Sequence, residues 1–280
     1  MKRKIVIGLA ILLAGFQASA QMSAEYYKSQ YQRQVKVLGA AGVGVETILD
    51  KWAEAAPDDP DMLEGRYSYY LEKASNPQVV MKDTPKYLGQ KPMLELKDSL
   101  GVTHYYFQVP SYTDSLFALS ASSIERAIAL RPSELKYRIE KIASLMSYEG
   151  ESPDMAEAEV LALIELQAGS HPSWTYLGEP ADDDLFQSVI QEYCFSFYST
   201  GTPRSYEAFY KVSERMSKLY PKNAVYVSNM GSYWLVARDN RKKAQSYYKK
   251  ALKIDPDDYA AKRNMKIIQS SSSQKGRPSK

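Results

Sequence analysis

A chain of 280 residues with 44% hydrophobic side chains is long enough to bury a large core. Its 36 basic and 33 acidic residues give a formal charge of +3, without the concentrated basic face that nucleic-acid binding needs. A single cysteine, Cys194, excludes an internal disulfide, and two histidines without spaced partners, His104 and His171, match no zinc pattern.

Residues 1–20 read as a secretory signal. Met1 to Lys4 is basic, Ile5 to Phe16 is apolar, and Ala18-Ser19-Ala20 has the small-x-small form of a cleavage site. Twelve apolar residues fall short of the roughly 20 that a spanning helix needs. Export to the periplasm or beyond, with cleavage after Ala20, is the expectation. Loss of Lys2, Arg3 and Lys4 leaves 33 basic residues (36 − 3) against 33 acidic ones.

Helical periodicity dominates the rest. A helix over 23–38 breaks at Gly39 to Gly42, and a second over 45–56 places Ile48, Leu49, Trp52 and Ala56 on one face. Pro57 and Pro60 stop it, because proline has no amide hydrogen to donate. A third helix spans 61–74, with Met62, Tyr69 and Tyr70 as packing residues. From Met93 to Val109 the period changes to two around Asp98 to Gly101, which predicts an inserted β-hairpin. Leu94 and Leu96 share one of its faces, and Tyr105, Phe107 and Val109 the other. Helices resume over 114–130, 133–148, 154–167, 182–198, 203–219, 224–236 and 241–254, with 258–269 closing the series. A long turn over 169–184 holds Pro172, Trp174 and Pro180. The tail, 270–280, is too polar to bury anything and is expected to be disordered.

One phrase occurs twice. Pro221 opens a run ending Asn229-Met230, and Pro256 opens one ending Asn264-Met265, 35 residues later. A period of about 34 residues marks paired-helix solenoids. The last pair carries Asn229, Gly231, Trp234, Ala244, Tyr248, Ala251 and Pro256, and with these residues it resembles the tetratricopeptide (TPR) repeat. Small residues stand where helices touch, and large ones fill the gap. Shorter matches, among them Tyr67 to Tyr70, Leu94 to Ser99, Tyr137 to Ile142, Trp174-Thr175 and Gln191 to Tyr193, make the chain similar to exported TPR proteins of Bacteroidetes. The resemblance implies an all-α fold, a right-handed solenoid of about five helical hairpins with a capping helix over residues 21–269. It implies no reaction.

Chemistry finds little footing. Gly39 to Gly44 departs from the dinucleotide-loop spacing and reads as an interhelical turn. No serine stands in a nucleophile-elbow sequence. The acidic clusters at Asp182 to Asp184 and Asp257-Asp258 precede helices, where carboxylates cap free amides. Cys194 sits in an apolar helix and reads as a small buried residue. The 23 tyrosines read mainly as packing residues with polar rims. No cofactor, metal or catalytic residue is assigned. The expected function is a non-enzymatic scaffold that holds a protein or peptide in a concave groove lined by the first helix of each pair. Candidate contacts are Asn229, Tyr226, Tyr233, Arg263, Asn264 and Arg138, with a hydrogen bond to the adjacent helix as the structural alternative for Asn229. The rival readings are a glycan-binding accessory protein of the cell envelope, drawn from the tyrosines, and a hydrolase with an unrecognised site.

Overall fold

The computed structural model describes residues 24–274. The signal-peptide reading of 1–20 and the end of the tail lie outside them. Eleven helices account for most of the described residues: α1 (24–38), α2 (Val45–Ala55), α3 (Pro60–Ala74), α4 (Asp114–Leu130), α5 (Leu135–Glu149), α6 (Asp154–Ser170), α7 (Asp183–Thr200), α8 (Pro203–Leu219), α9 (Ala224–Val236), α10 (Arg241–Ile254) and α11 (Tyr259–Gln274). The strands are β1 (Gln78–Lys82), β2 (Leu94–Lys97), β3 (Thr103–Val109) and the two-residue pair β4 (Thr175–Tyr176) and β5 (Glu179–Pro180). The fold is all-α, a succession of packed helices with a small inserted sheet.

Two compact units divide the chain. The first comprises 24–78, 109–144 and 174–180, and the second 79–108, 145–173 and 181–274. In the first, α2, α3 and α4 enclose Val45, Leu49, Trp52, Met62, Leu63, Tyr67, Ile124 and Ala127, with Tyr31 and Val35 of α1 packed against them. The chain starts α3 sharply. Asp59 accepts the Asp61 amide at 2.9 Å, and Pro60 begins the helix with its φ already set. The excursion between α3 and α4 closes at its base through Thr113 N to Ala74 O (2.9 Å) and Asn76 N to Ser111 O (2.7 Å).

In the second unit each helix from α7 to α11 packs on the next, while α6 also touches α8 and α9 also touches α11. Contacts to the next helix and the next but one are what stacked hairpins require. Turn chemistry sets the boundaries. Thr202 and Ser205 form a reciprocal capping box at α8, and Asp182, Asn223 and Asn240 cap α7, α9 and α10. Asp258 Oδ1 accepts the Ala261 amide at 2.7 Å and the Ser228 hydroxyl at 3.0 Å. Both acidic clusters thus contain a capping residue.

The inserted element is larger than the expected hairpin. It is a three-stranded sheet in the order β1-β3-β2. Gln78 to Lys82 has too little alternation to announce a strand, and its partner β3 supplies the pairing. The hairpin half follows expectation: Leu94 pairs with Tyr106 and Leu96 with His104, so Tyr105 and Phe107 face the other way. Phe107 is buried against Tyr87, whose hydroxyl donates to Glu151 at 2.6 Å. The sheet is therefore anchored on the turn between α5 and α6. The tail reading also shifts, because α11 continues through Gln274. No described helix is long and apolar enough to cross a membrane.

Candidate functional site

The first unit contains an open cleft of about 390 Å³. Three helices present residues to it: α1 with Lys28, Tyr31 and Gln32, α3 with Asp61, Glu64 and Gly65, and α5 with Lys136 and Tyr137. The first two sets repeat the i, i+3, i+4 spacing that puts side chains on one helical face. Arg131 and Glu134 come from the turn before α5, Leu177 and Gly178 from the β4–β5 turn, and Trp52 from α2. Gly65 matters sterically. A Cβ there would lie 2.9 Å from Leu49 Cδ2 and 3.1 Å from Tyr31 Cζ, so only glycine lets the Tyr31 ring lie against α3.

The charges are paired, but unequally. Asp61 accepts from Lys28 at 2.5 Å and from Arg131 at 3.0 Å, so one carboxylate serves two cations. Burial works to raise the Asp61 pKa, but the two cations outweigh it and hold the group ionised below its ordinary range. Arg131 also donates to the Tyr137 hydroxyl at 3.3 Å and remains half-exposed. Lys136 bonds Glu64 and lies 3.8 Å from Glu140. Glu134 is held ionised against burial by the Thr175 hydroxyl (2.9 Å) and the amides of Gly178 (3.1 Å) and Leu177 (2.8 Å), which locks the β4–β5 turn beside the cleft.

Glu140 is the outlier. Burial first, then the neighbouring Glu64, push its carboxyl up to about 7, with Lys136 only partly opposing. Its Oε2 is buried without a hydrogen-bond partner among the described residues. The folded carboxyl keeps its proton to about pH 7, whereas the unfolded one releases it near 4.5. Folding therefore binds a proton in that window, and this group's contribution to stability falls as pH rises from 4.5 to beyond 7. Discounting the shift for partial exposure, Glu140→Gln is expected to stabilise the chain by about 1–2 kcal/mol at pH 8 and to change little at pH 4. Urea midpoints at the two pH values measure this; equal effects at both would assign the change to packing instead.

The residues expected to bind a partner are placed differently. Arg138 belongs to the first unit, where its guanidinium stacks 5.7 Å from the Trp174 ring and donates to Pro132 O. The other five belong to the second unit. Tyr226 and Tyr233 are buried. Their hydroxyls bond Gln187 O at 3.0 Å and Glu207 at 2.8 Å, so both rings help hold neighbouring helices together. Asn229 donates to Gln191 Oε1 on α7 at 3.0 Å, the structural alternative, and Asn264 donates to the Tyr248 hydroxyl at 2.9 Å. Arg263 is exposed. A second cleft, of about 410 Å³ between α7 and α9, is lined by Gln187, Gln191, Asn223 and Tyr226 and carries only Asp184 and Glu192 as charges. Cys194 is fully buried near the Ser213 hydroxyl, and burial pushes its thiol up to about 12, so it is inert packing.

Comparison with known proteins adds no residue roles. No family model matches the chain, and no curated protein does. Solved structures similar to it include YrrB, described as a TPR protein with an unusual peptide-binding site (TM-score 0.39, 13% identity, 90% of each chain covered). MamA from residue 41 onward of Desulfovibrio magneticus RS-1 gives a TM-score of 0.37 at 13% identity, covering 85% of this chain and 97% of that one. A further MamA structure gives 0.38 at 10% identity, with 87% and 93% covered.

Proposed function

We propose that the chain is a non-enzymatic scaffold that holds an extended, acidic segment of a protein partner in the cleft of its first unit. The observation that carries this reading is the sharing of Asp61 by Lys28 and Arg131 at the cleft. A ligand carboxylate approaching that pair meets a cation whose charge is only partly satisfied, in a cleft also lined by Tyr31 and Tyr137. Charge-assisted hydrogen bonds of this kind contribute about 1.5–3 kcal/mol each. The basic start and apolar stretch of residues 1–20 support a place of action outside the cytoplasm. The rival glycan reading loses support because only Tyr26 and Tyr259 among the described tyrosines are largely exposed.

Selection of displayed random peptides on the full chain tests this. Enriched peptides are expected to carry Asp or Glu, and Lys28→Ala with Arg131→Ala is expected to weaken them at least about tenfold, equivalent to about 1.4 kcal/mol. The double variant is expected to lose some thermal stability, because it leaves the part-buried Asp61 without its two cations, so its binding is read at a temperature where circular dichroism shows it folded. Enrichment without acidic residues, or affinity indifferent to the double change, would count against the reading.

A further inference from the structure

We infer that β2 is a self-association edge and that a second copy of this chain pairs with it antiparallel, about a twofold axis at Leu96. In the order β1-β3-β2 the strand has one open side, and all four of its residues are exposed. Asp98 N donates to Val102 O, in register with the Leu96–His104 and Leu94–Tyr106 pairs. Met93 N also donates to Tyr106 O at 2.8 Å, a bulge at the start of the strand, and from Leu94 onward alternation along the antiparallel ladder turns the backbone groups of Leu94 and Leu96 toward β3 and those of Glu95 and Lys97 toward the open edge.

The sequence Leu94-Glu95-Leu96-Lys97 is complementary to itself in that arrangement. With the axis at Leu96, Leu96 meets its own copy, and Glu95 of each chain lies opposite Lys97 of the other. These are the residues whose backbone groups are free to form the hydrogen-bonded pairs. Neither Glu95 nor Lys97 forms an ion pair with another described residue, so both charges are available. An edge lysine ordinarily discourages sheet extension by leaving a cation against the incoming strand. Here the incoming strand brings the neutralising carboxylate. Leu94 and Leu96, each 48% exposed, would continue an apolar face across the junction. Cross-strand pairs contribute modestly, so the dimer is expected to be weak and to depend on concentration.

Sedimentation velocity on the full chain over a wide concentration range tests this by charge exchange. The parent is expected to pass from monomer to dimer. Glu95→Lys places lysine against lysine, Lys97→Glu places glutamate against glutamate, and each alone is expected to remain monomeric with an unchanged far-ultraviolet circular-dichroism spectrum. The double exchange, Glu95→Lys with Lys97→Glu, restores both pairs and is expected to dimerise again. An equimolar mixture of the two single variants is expected to form a heterodimer, because each then supplies the other's missing sign. A parent that stays monomeric throughout, a dimer undiminished in the single variants, or a double exchange and mixture that both fail to associate would overturn the inference.

Discussion

Trp52→Ala is expected to destabilise the chain by about 3–5 kcal/mol, the cost of truncating a buried indole. Trp52 is 1% exposed, its ring lies 5.9 Å from that of Tyr31, and its Nε1 donates to Asp59 Oδ2 at 2.9 Å. Three links are lost together: the α2 core position, the support beneath Tyr31, and a partner of the Asp59 carboxylate that caps α3. Trp52→Phe keeps most of the apolar volume and loses the hydrogen bond, for about 1–2 kcal/mol. Urea unfolding followed by circular dichroism gives both values. A loss below about 1 kcal/mol for the alanine variant would mean that the α1–α3 packing is not as described.

Gly231→Ala is expected to destabilise by about 1–3 kcal/mol, although alanine is the better helix former by about 1 kcal/mol. A Cβ at Gly231 would stand 2.6 Å from Tyr248 Cε1, closer than carbon atoms approach. The ring cannot swing aside cheaply. Tyr248 is fully buried, and its hydroxyl bonds Asn264 at 2.9 Å and Ser232 at 3.2 Å. Combining Gly231→Ala with Tyr248→Leu should therefore cost less than the sum of the two single changes. Additive losses in that double-mutant cycle would show that the clash is not the cause.

Local chemistry made much of the fold legible. The bounds of α4, α8, α9 and α10 follow from their flanking prolines and capping polar residues, which act within a turn or two of the chain. Elements whose limits depend on distant partners were harder to read. Helix α5 begins at Leu135 rather than residue 133, where Glu134 turns aside to hold Thr175 and Gly178. Strand β1 exists because β3 pairs with it, and four consecutive serines did not end α11.

The same contrast governs the site. Asn229 and Asn264 stood out because they repeat, yet the repeat reflects their hydrogen bonds to neighbouring helices. Lys28, Asp61, Glu64, Arg131, Lys136 and Glu140 carry no local pattern that separates them from ordinary solvated helix faces. The i, i+3, i+4 spacing on α1 and α3 is visible in the sequence, but only the folded unit brings Lys28 and Arg131 to one carboxylate.

The most direct measurement is hydrogen–deuterium exchange on the full chain, with and without a peptide obtained by selection. Protection is predicted along α1, α3 and the turn from Arg131 into α5, and it is predicted to vanish in the Lys28→Ala, Arg131→Ala variant. Protection confined to α9 and α11, around Asn229 and Arg263, or protection that survives the double change, would contradict the assignment of recognition to the first-unit cleft.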